Sequence, residues 1–235
     1  GCLYMPYTVQ KIPDTLQQIF HTSPKIKHYP KGTYIFHEGS EPAELYLIKM
    51  GKVAVSKLLS NGHELTIRIC SRNDILGELL LFSQSPTYMF HAKTMEDSEV
   101  AIVSRATLEE QLSMNQEAAI AYMKWMSIQY RRTHTKIRDL LLYGKKGALY
   151  STIIRLTNSF GVETENGIIL TIPLTNQDLA NLSGTSREVI NRMLSELRKN
   201  HVLSIEKGII TIYNLSYLKS AIDCEGCPAE ICCIE

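Results

Sequence analysis

The chain has 235 residues, 44% of them hydrophobic, and carries 25 Lys+Arg against 24 Asp+Glu. That apolar content suits one or two globular domains with a sizeable core and excludes a disordered tail, and the balanced charge excludes a histone-like polycation. No run of about 18 apolar residues occurs and the start lacks the basic-then-apolar order of a secretory signal, so a cytoplasmic protein with no membrane partner is expected.

Pro13 to His21 reads as a short helix. From Lys31 to Ser104 the pattern turns to short β-rich runs: Tyr34 to Phe36, Leu45 to Lys49, Val53 to Leu58, Leu65 to Ile69 and Val100 to Val103. Lys31-Gly32, Glu38-Gly39, Met50-Gly51-Lys52 and Asn61-Gly62 punctuate them, and Asn-Gly is the strongest hairpin signal because both residues tolerate positive φ. Short strands at close spacing predict an antiparallel β-roll. After Arg105 the period becomes helical. Ala119, Met123, Met126, Tyr130, Thr133, Ile137 and Leu140 alternate steps of four and three, the spacing of a coiled-coil seam. A helix from Glu117 to Tyr143 is roughly 40 Å long at its ordinary rise, and the economical cover for its stripe is a second copy, which predicts a parallel homodimer. The other reading packs the stripe on the β-roll, and Thr133 is the weak point of the seam. Gly144-Lys145-Lys146-Gly147 breaks the helix as a hinge, Ala148 to Ser159 resumes it, and Glu165-Asn166-Gly167 before Ile168 to Ile172 marks a hairpin.

Leu174 to Asn200 reads as two helices around a tight turn. Thr175 is an N-cap with Asp178 three positions on, Ala180 admits a close second helix, Gly184 makes the turn and Ser186 caps the next helix. There Val189, Ile190, Met193, Leu194 and Leu197 form the buried face, while Arg187, Glu188, Asn191, Arg192 and Ser195 point outward. This is a helix-turn-helix whose arginines can bond guanine bidentately and whose Glu188 can accept from cytosine. The bland reading is a solvated face with a Glu188 to Arg192 pair. Leu203 to Ile205 and Ile209 to Tyr213 form a hairpin beside it, a wing with Lys207 at its tip for phosphate contact. The expected partner is double-stranded DNA, and a two-fold dimer requires an inverted-repeat site. The fold class is α+β: a β-roll with its N-terminal helix over 1–105, a dimerisation helix over 106–143, a winged helix-turn-helix over 144–220, and a cysteine-rich tail over 221–235.

That tail is the sharpest chemical feature. Residues 144–220 carry 9 basic and 6 acidic side chains, and residues 221–235 carry 0 and 4. Cys2 and Cys70 stand alone, whereas Cys224, Cys227, Cys232 and Cys233 crowd the last twelve positions. In a reducing cytosol such a cluster points to metal ligands or redox thiols rather than structural disulfides. The C-x2-C step lets two thiolates converge, Gly226 permits the turn, and a third sulfur arrives at Cys232 or Cys233. Thiolates suit iron–sulfur centres or zinc, and a disulfide or sulfenate switch is the redox alternative.

The order of β-roll, long helix and winged helix resembles the CRP/FNR family of bacterial transcription regulators over nearly the whole chain. The matches are specific in Lys31-Gly32, Gly51-Lys52, Gly77-Glu78 and Ser186-Arg187-Glu188-Val189-Ile190-Asn191-Arg192. The resemblance implies a cyclic-nucleotide-binding-like roll, RNA polymerase as a partner, and TGTGA-like half-sites, since Arg187-Glu188 with Arg192 is similar to the CRP reading helix. Gly77-Glu78-Leu79-Leu80 falls where the family's nucleotide pocket places its Gly-Glu motif. The Arg-Ser pair of cAMP-responsive members is replaced by Pro86 to Ala92. With His91 and Lys93 as the nearby cations, burying a phosphate beside Tyr88, Met89 and Phe90 is costly, so cAMP is not expected as effector; another small apolar ligand remains open.

The C-x2-C-x4-C tail is similar to that of Bacillus-type FNR proteins, which implies a C-terminal [4Fe–4S] cluster, oxygen sensing, and activation of anaerobic and nitrate respiration genes. The implied ligands are Cys224, Cys227, Cys232 and Asp139, with Cys70 and Cys233 competing for the fourth place. The resemblance alone selects Asp139, which otherwise reads as half of a surface ion pair with Arg138. Structural zinc in the tail is the alternative within the same family. From a different class, a thiol-redox protein using its winged helix to dock proteins would fit the tail too. No enzyme activity is expected, because no histidine pairs with a cysteine at a recognisable nucleophile-base spacing.

Overall fold

The computed structural model of the chain describes residues 12–22, 25–84 and 86–235; Cys2 lies outside them. The polypeptide parts into two compact units, built on residues 10–127 and 128–234.

The first unit opens with α1 (Asp14–His21) and continues through β1 (Ile26–Tyr29), β2 (Tyr34–Phe36), β3 (Glu44–Met50), β4 (Val53–Leu58), β5 (Glu64–Cys70), β6 (Ile75–Leu76), β7 (His91–Thr94) and β8 (Ser98–Ser104). The expected helix and five expected strands are present. The strands form two antiparallel four-stranded sheets, ordered β1-β8-β3-β6 and β2-β7-β4-β5. Strand periodicity explains why the middle of the first sheet is so apolar. On β3, Tyr46 and Ile48 enter the roll interior, whereas Leu45 and Leu47 point to the other face. Their partners on β8 divide in the same way, with Val100 and Ile102 inward and Ala101 and Val103 outward. A sheet buried on both faces has no polar side to alternate with. The outward face is covered by Leu16 and Phe20 of α1, Leu108 and Leu112 of α2 (Arg105–Met114), and Ala118 and Trp125 at the start of α3 (Gln116–Phe160).

α3 is longer than its sequence suggests, running Gln116–Phe160, but Gly144 sits at φ 55°, ψ −142° and breaks it at the expected hinge. A glycine tolerates that backbone because it has no Cβ. Of the expected seam, Met126 is partly buried against the first unit's helical core. Met123, Tyr130, Ile137 and Leu140 are 50–66% exposed in the single chain, as a stripe awaiting a second copy would be.

In the second unit β9 (Gly161–Thr164) and β10 (Gly167–Leu170) form the expected hairpin, followed by α4 (Asn176–Ser183), α5 (Arg187–Lys199), β11 (Leu203–Glu206), β12 (Ile209–Ile212) and α6 (Leu215–Ser220). The two hairpins merge into one sheet ordered β11-β12-β10-β9. Leu149, Ile153 and Leu156 of α3 are buried with Leu179, Ile190, Leu194, Leu197 and Leu218. No helix among the described residues is long and apolar enough to cross a membrane.

Candidate functional site

The reading element is built by local capping. Asp178 donates its N–H to Thr175 Oγ1 (3.1 Å) while its Oδ2 accepts from Thr175 N–H (2.7 Å), a reciprocal box that opens α4. Gly184 closes α4 in the left-handed region, and Ser186 Oγ accepts from Val189 N–H to start α5. Ile190, Leu194 and Leu197 are fully buried beneath α5, with Val189 and Met193 half-buried. This burial leaves Arg187, Glu188, Asn191 and Arg192 exposed on one surface. Asn191 Oδ1 accepts from Asn176 Nδ2 of α4 (2.5 Å), which ties the outer face to the preceding helix. Lys207 and Gly208 both adopt positive φ, 50° and 82°, in a two-residue turn between β11 and β12. That turn leaves Lys207 exposed at the wing tip.

In the roll, the expectation about nearby cations needs correcting. His91 and Lys93 occupy alternate positions on β7, whereas Ala92 between them enters the roll core. The cation at the pocket is Arg68, from β5. It lines a cavity with Phe36, Glu78, Tyr88, Met89 and Phe90. Its Nη2 donates to Glu78 Oε2 (2.9 Å) and to the Ile75 carbonyl (2.8 Å), so the buried positive charge is matched by an equally buried carboxylate. A second, uncompensated cation for an anionic ligand is not among the lining residues.

Up to Ile234, the tail packs on α3 inside the second unit. Three consecutive carbonyls of the tail are taken up by side chains of α3. Arg132 Nε donates to Glu230 O (2.7 Å), Arg155 Nη1 to Ile231 O (3.1 Å), and Asn158 Nδ2 to Cys232 O (2.5 Å). Ser159 Oγ accepts from Ile234 N–H (3.0 Å), and Tyr143 OH donates to Asp223 (3.0 Å). Cys232 and Ile231 both donate their N–H groups to Pro228 O, a single turn that precedes the Cys232 carbonyl bonded to Asn158 of α3.

Asp139 is 5% exposed, so the surface reading of this residue does not hold, although its pair with Arg138 does. Oδ1 accepts from Nε (3.1 Å) and Nη2 (2.9 Å) of Arg138, and Oδ2 accepts from Ser151 Oγ (2.5 Å) and Arg155 Nη2 (3.3 Å). Burial pushes the Cys232 thiol above its ordinary range; Arg155 opposes that, while Cys224, Cys227 and Asp139 add to it. Arg138 is held above the ordinary guanidinium range: burial works against its charge, but Asp139, Glu225 and a hydrogen bond to Cys227 outweigh it. Cys233 donates to Glu230 O (3.5 Å), and Cys70 belongs to the roll core. All five described cysteines are thiols rather than disulfides. Among the described residues no three His, Cys, Asp or Glu side chains form a ready-made shell for a metal ion, so a centre here requires the tail thiols to close around it.

Arg132, Ser151, Arg155 and Asn158 were not foreseen. Their signal was nevertheless present, because Arg132, Thr135 and Asp139 share one helical face and Ser151, Arg155 and Asn158 share another.

Residues 26–115 match the cyclic nucleotide-binding domain model, and residues 148–221 match the Crp-like helix-turn-helix domain model. The chain is 52% identical to the anaerobic regulatory protein of Bacillus subtilis, over 87% of each chain. It is 26% identical to the global nitrogen regulator of Synechococcus elongatus, over 81% of this chain and 86% of that one. Among solved structures, FixK2 from Bradyrhizobium japonicum shares the fold with a TM-score of 0.71 at 20% identity, covering 84% of this chain and 96% of that one.

Proposed function

We propose, given that this chain belongs to the CRP/FNR family of DNA-binding transcription regulators, that it senses oxygen through a [4Fe–4S] cluster held by Cys224, Cys227, Cys232 and Asp139. On this reading it is a homodimeric activator that binds TGTGA-type inverted repeats while the cluster is intact, recruits RNA polymerase, and does not respond to cAMP. The observation that supports the reading is the docking of the tail on α3, in which Arg155 bonds both the Ile231 carbonyl next to Cys232 and the buried Asp139. The donor set fits in kind, since three soft thiolates are what an iron–sulfur centre selects. When bound, such a cluster supplies oxygen lability, because a carboxylate is a harder partner for it than a fourth thiolate.

The chain's own residues then do three things. Arg132, Arg155 and Asn158 hold the tail backbone against α3. Arg138 and Arg155 place positive charge beside Asp139, and Arg155 opposes the rise that burial imposes on the Cys232 thiol. α5 presents Arg187, Glu188 and Arg192 to base edges, and Ser186, Asn191 and Lys207 hold its cap, its outer face and the phosphate-facing wing. Joining tail to α3 changes DNA affinity only insofar as the two joined states differ in affinity for the centre.

Reconstitution with iron and sulfide without oxygen tests this directly. The expected product absorbs in the charge-transfer region, bleaches in air, and binds an inverted repeat only before bleaching. Zinc at about one per chain that survives air would replace the cluster with a structural metal. A reversible disulfide with no salt-dependent DNA affinity would replace the regulator with a thiol-redox protein. Because Asp139 is buried between two arginines, Asp139→Asn is the informative variant: it keeps the shape and is expected to lose air-responsive binding.

A further inference from the structure

Arg155 is 2% exposed and its guanidinium reaches four groups on three stretches of the chain. Nε donates to Ser151 Oγ (3.1 Å), Nη1 to the Ile231 carbonyl (3.1 Å), and Nη2 to Thr135 Oγ1 (3.0 Å) and Asp139 Oδ2 (3.3 Å). One rigid planar fork therefore spans α3 before its break, α3 after its break, and the tail. We propose that Arg155 is the positioning residue of the tail site, holding Asp139 and the segment Ile231 to Ile234 in register whether or not a metal centre is bound. The part concerning a bound centre rests on the cluster reading above; the part concerning the tail does not.

The geometry separates two contributions. The fork shape is needed because a single point donor cannot serve the Ile231 carbonyl, Ser151 and Asp139 together, which makes lysine a poor replacement in shape while it keeps the charge. The charge is needed because Asp139 is a carboxylate only 5% exposed, where an unmatched negative charge is costly. Asn158 gives an internal contrast: it holds the adjacent Cys232 carbonyl without touching Asp139.

The test uses the full chain in two states, metal-free and reconstituted with iron and sulfide under anaerobic conditions. In the metal-free state, hydrogen exchange of the amides from Ile231 to Ile234 is expected to speed up at least tenfold in both Arg155→Lys and Arg155→Met, with the helical circular dichroism of Arg155→Lys unchanged. In the reconstituted state, Arg155→Met is expected to shift the midpoint potential downward, since a buried positive charge favours the reduced form, and Arg155→Lys is expected to restore it. Asn158→Ala is expected to speed tail exchange while leaving the potential where it is. Unchanged tail exchange in Arg155→Lys, or the same potential in wild type and Arg155→Met, would overturn the proposal. If Arg155→Met does not fold, the decision falls to the exchange of Arg155→Lys. If the wild-type chain takes up no iron or sulfide, the cluster reading fails, and the exchange experiment still decides the positioning role.

Discussion

Arg68 in the roll and Arg155 in the second unit are buried and spend their guanidinium groups on internal partners, Glu78 in one case and Asp139 in the other. Arg187 and Arg192 on α5 are exposed on a helix whose opposite side buries Ile190, Leu194 and Leu197. The same side chain therefore serves two purposes. A buried guanidinium costs several kcal/mol to desolvate and is kept only where a carboxylate and backbone carbonyls meet it, so it fixes structure. An exposed one needs no internal partner and keeps its five donors for a ligand. The contrast predicts that the two kinds of arginine answer to different measurements, stability for the first and DNA affinity for the second.

The largest expected effect is on stability. Glu78→Ala removes the carboxylate hydrogen-bonded to buried Arg68, leaving the Ile75 carbonyl to accept from it, and is expected to lower unfolding free energy in urea by about 3–5 kcal/mol. Replacing both partners, Arg68→Met with Glu78→Met, is expected to recover most of that loss. A single variant within about 0.5 kcal/mol of wild type would mean that water already reaches the pair, and the contrast with α5 would collapse.

Next comes the reading helix, where the readouts exchange places. Arg192→Ala is expected to leave unfolding within about 0.5 kcal/mol of wild type and to weaken binding to the preferred site by about 1–3 kcal/mol, relaxing one guanine position. An equal loss on every sequence would make Arg192 a phosphate contact instead. Between these extremes lies Thr175→Ala, which removes one half of the box that starts α4. It should cost about 1 kcal/mol of stability, with binding reduced only through that loss. A change in sequence preference would show that α4 does more than support α5.

How early each kind of arginine could be recognised follows the same division. Thr175 with Asp178, Gly184 and Ser186 are close neighbours in sequence, so capping and turn chemistry reveal the two helices and which side of α5 is wet. Arg155 is brought to the Ile231 carbonyl across 76 positions. Before the tail is laid down, Arg132, Ser151, Arg155 and Asn158 look like the polar face of any surface helix. Asp139 was singled out through resemblance, and only its burial shows it to be a structural partner of two arginines as well. The strands that periodicity missed fail for a related reason. β1 (IKHY) and β7 (HAKT) have no apolar run, and each is defined by the strand beside it, β8 for one and β2 and β4 for the other. Arg68 carries no local signal because its partner Glu78 lies on a different segment, whereas His91 and Lys93 stand next to the Tyr88-Met89-Phe90 run.

The smallest expected effect sharpens the contrast at the wing. Lys207 is held at the hairpin tip by a turn in which it and Gly208 both take positive φ, so its ammonium is displayed by backbone geometry and not by side-chain partners. A lysine presented in this way is a point charge suited to phosphate, with none of the planar complementarity that lets a guanidinium read a base. Lys207→Ala is therefore expected to weaken binding to all sequences alike and to reduce the slope of log affinity against log salt by about one. Lys207→Gly relieves the turn while also deleting the charge, and Lys207→Arg keeps the charge. If the salt slope follows the charge through this pair, the wing acts by counterion release, whereas a loss confined to certain sequences would give the wing a share in base recognition that its geometry does not suggest.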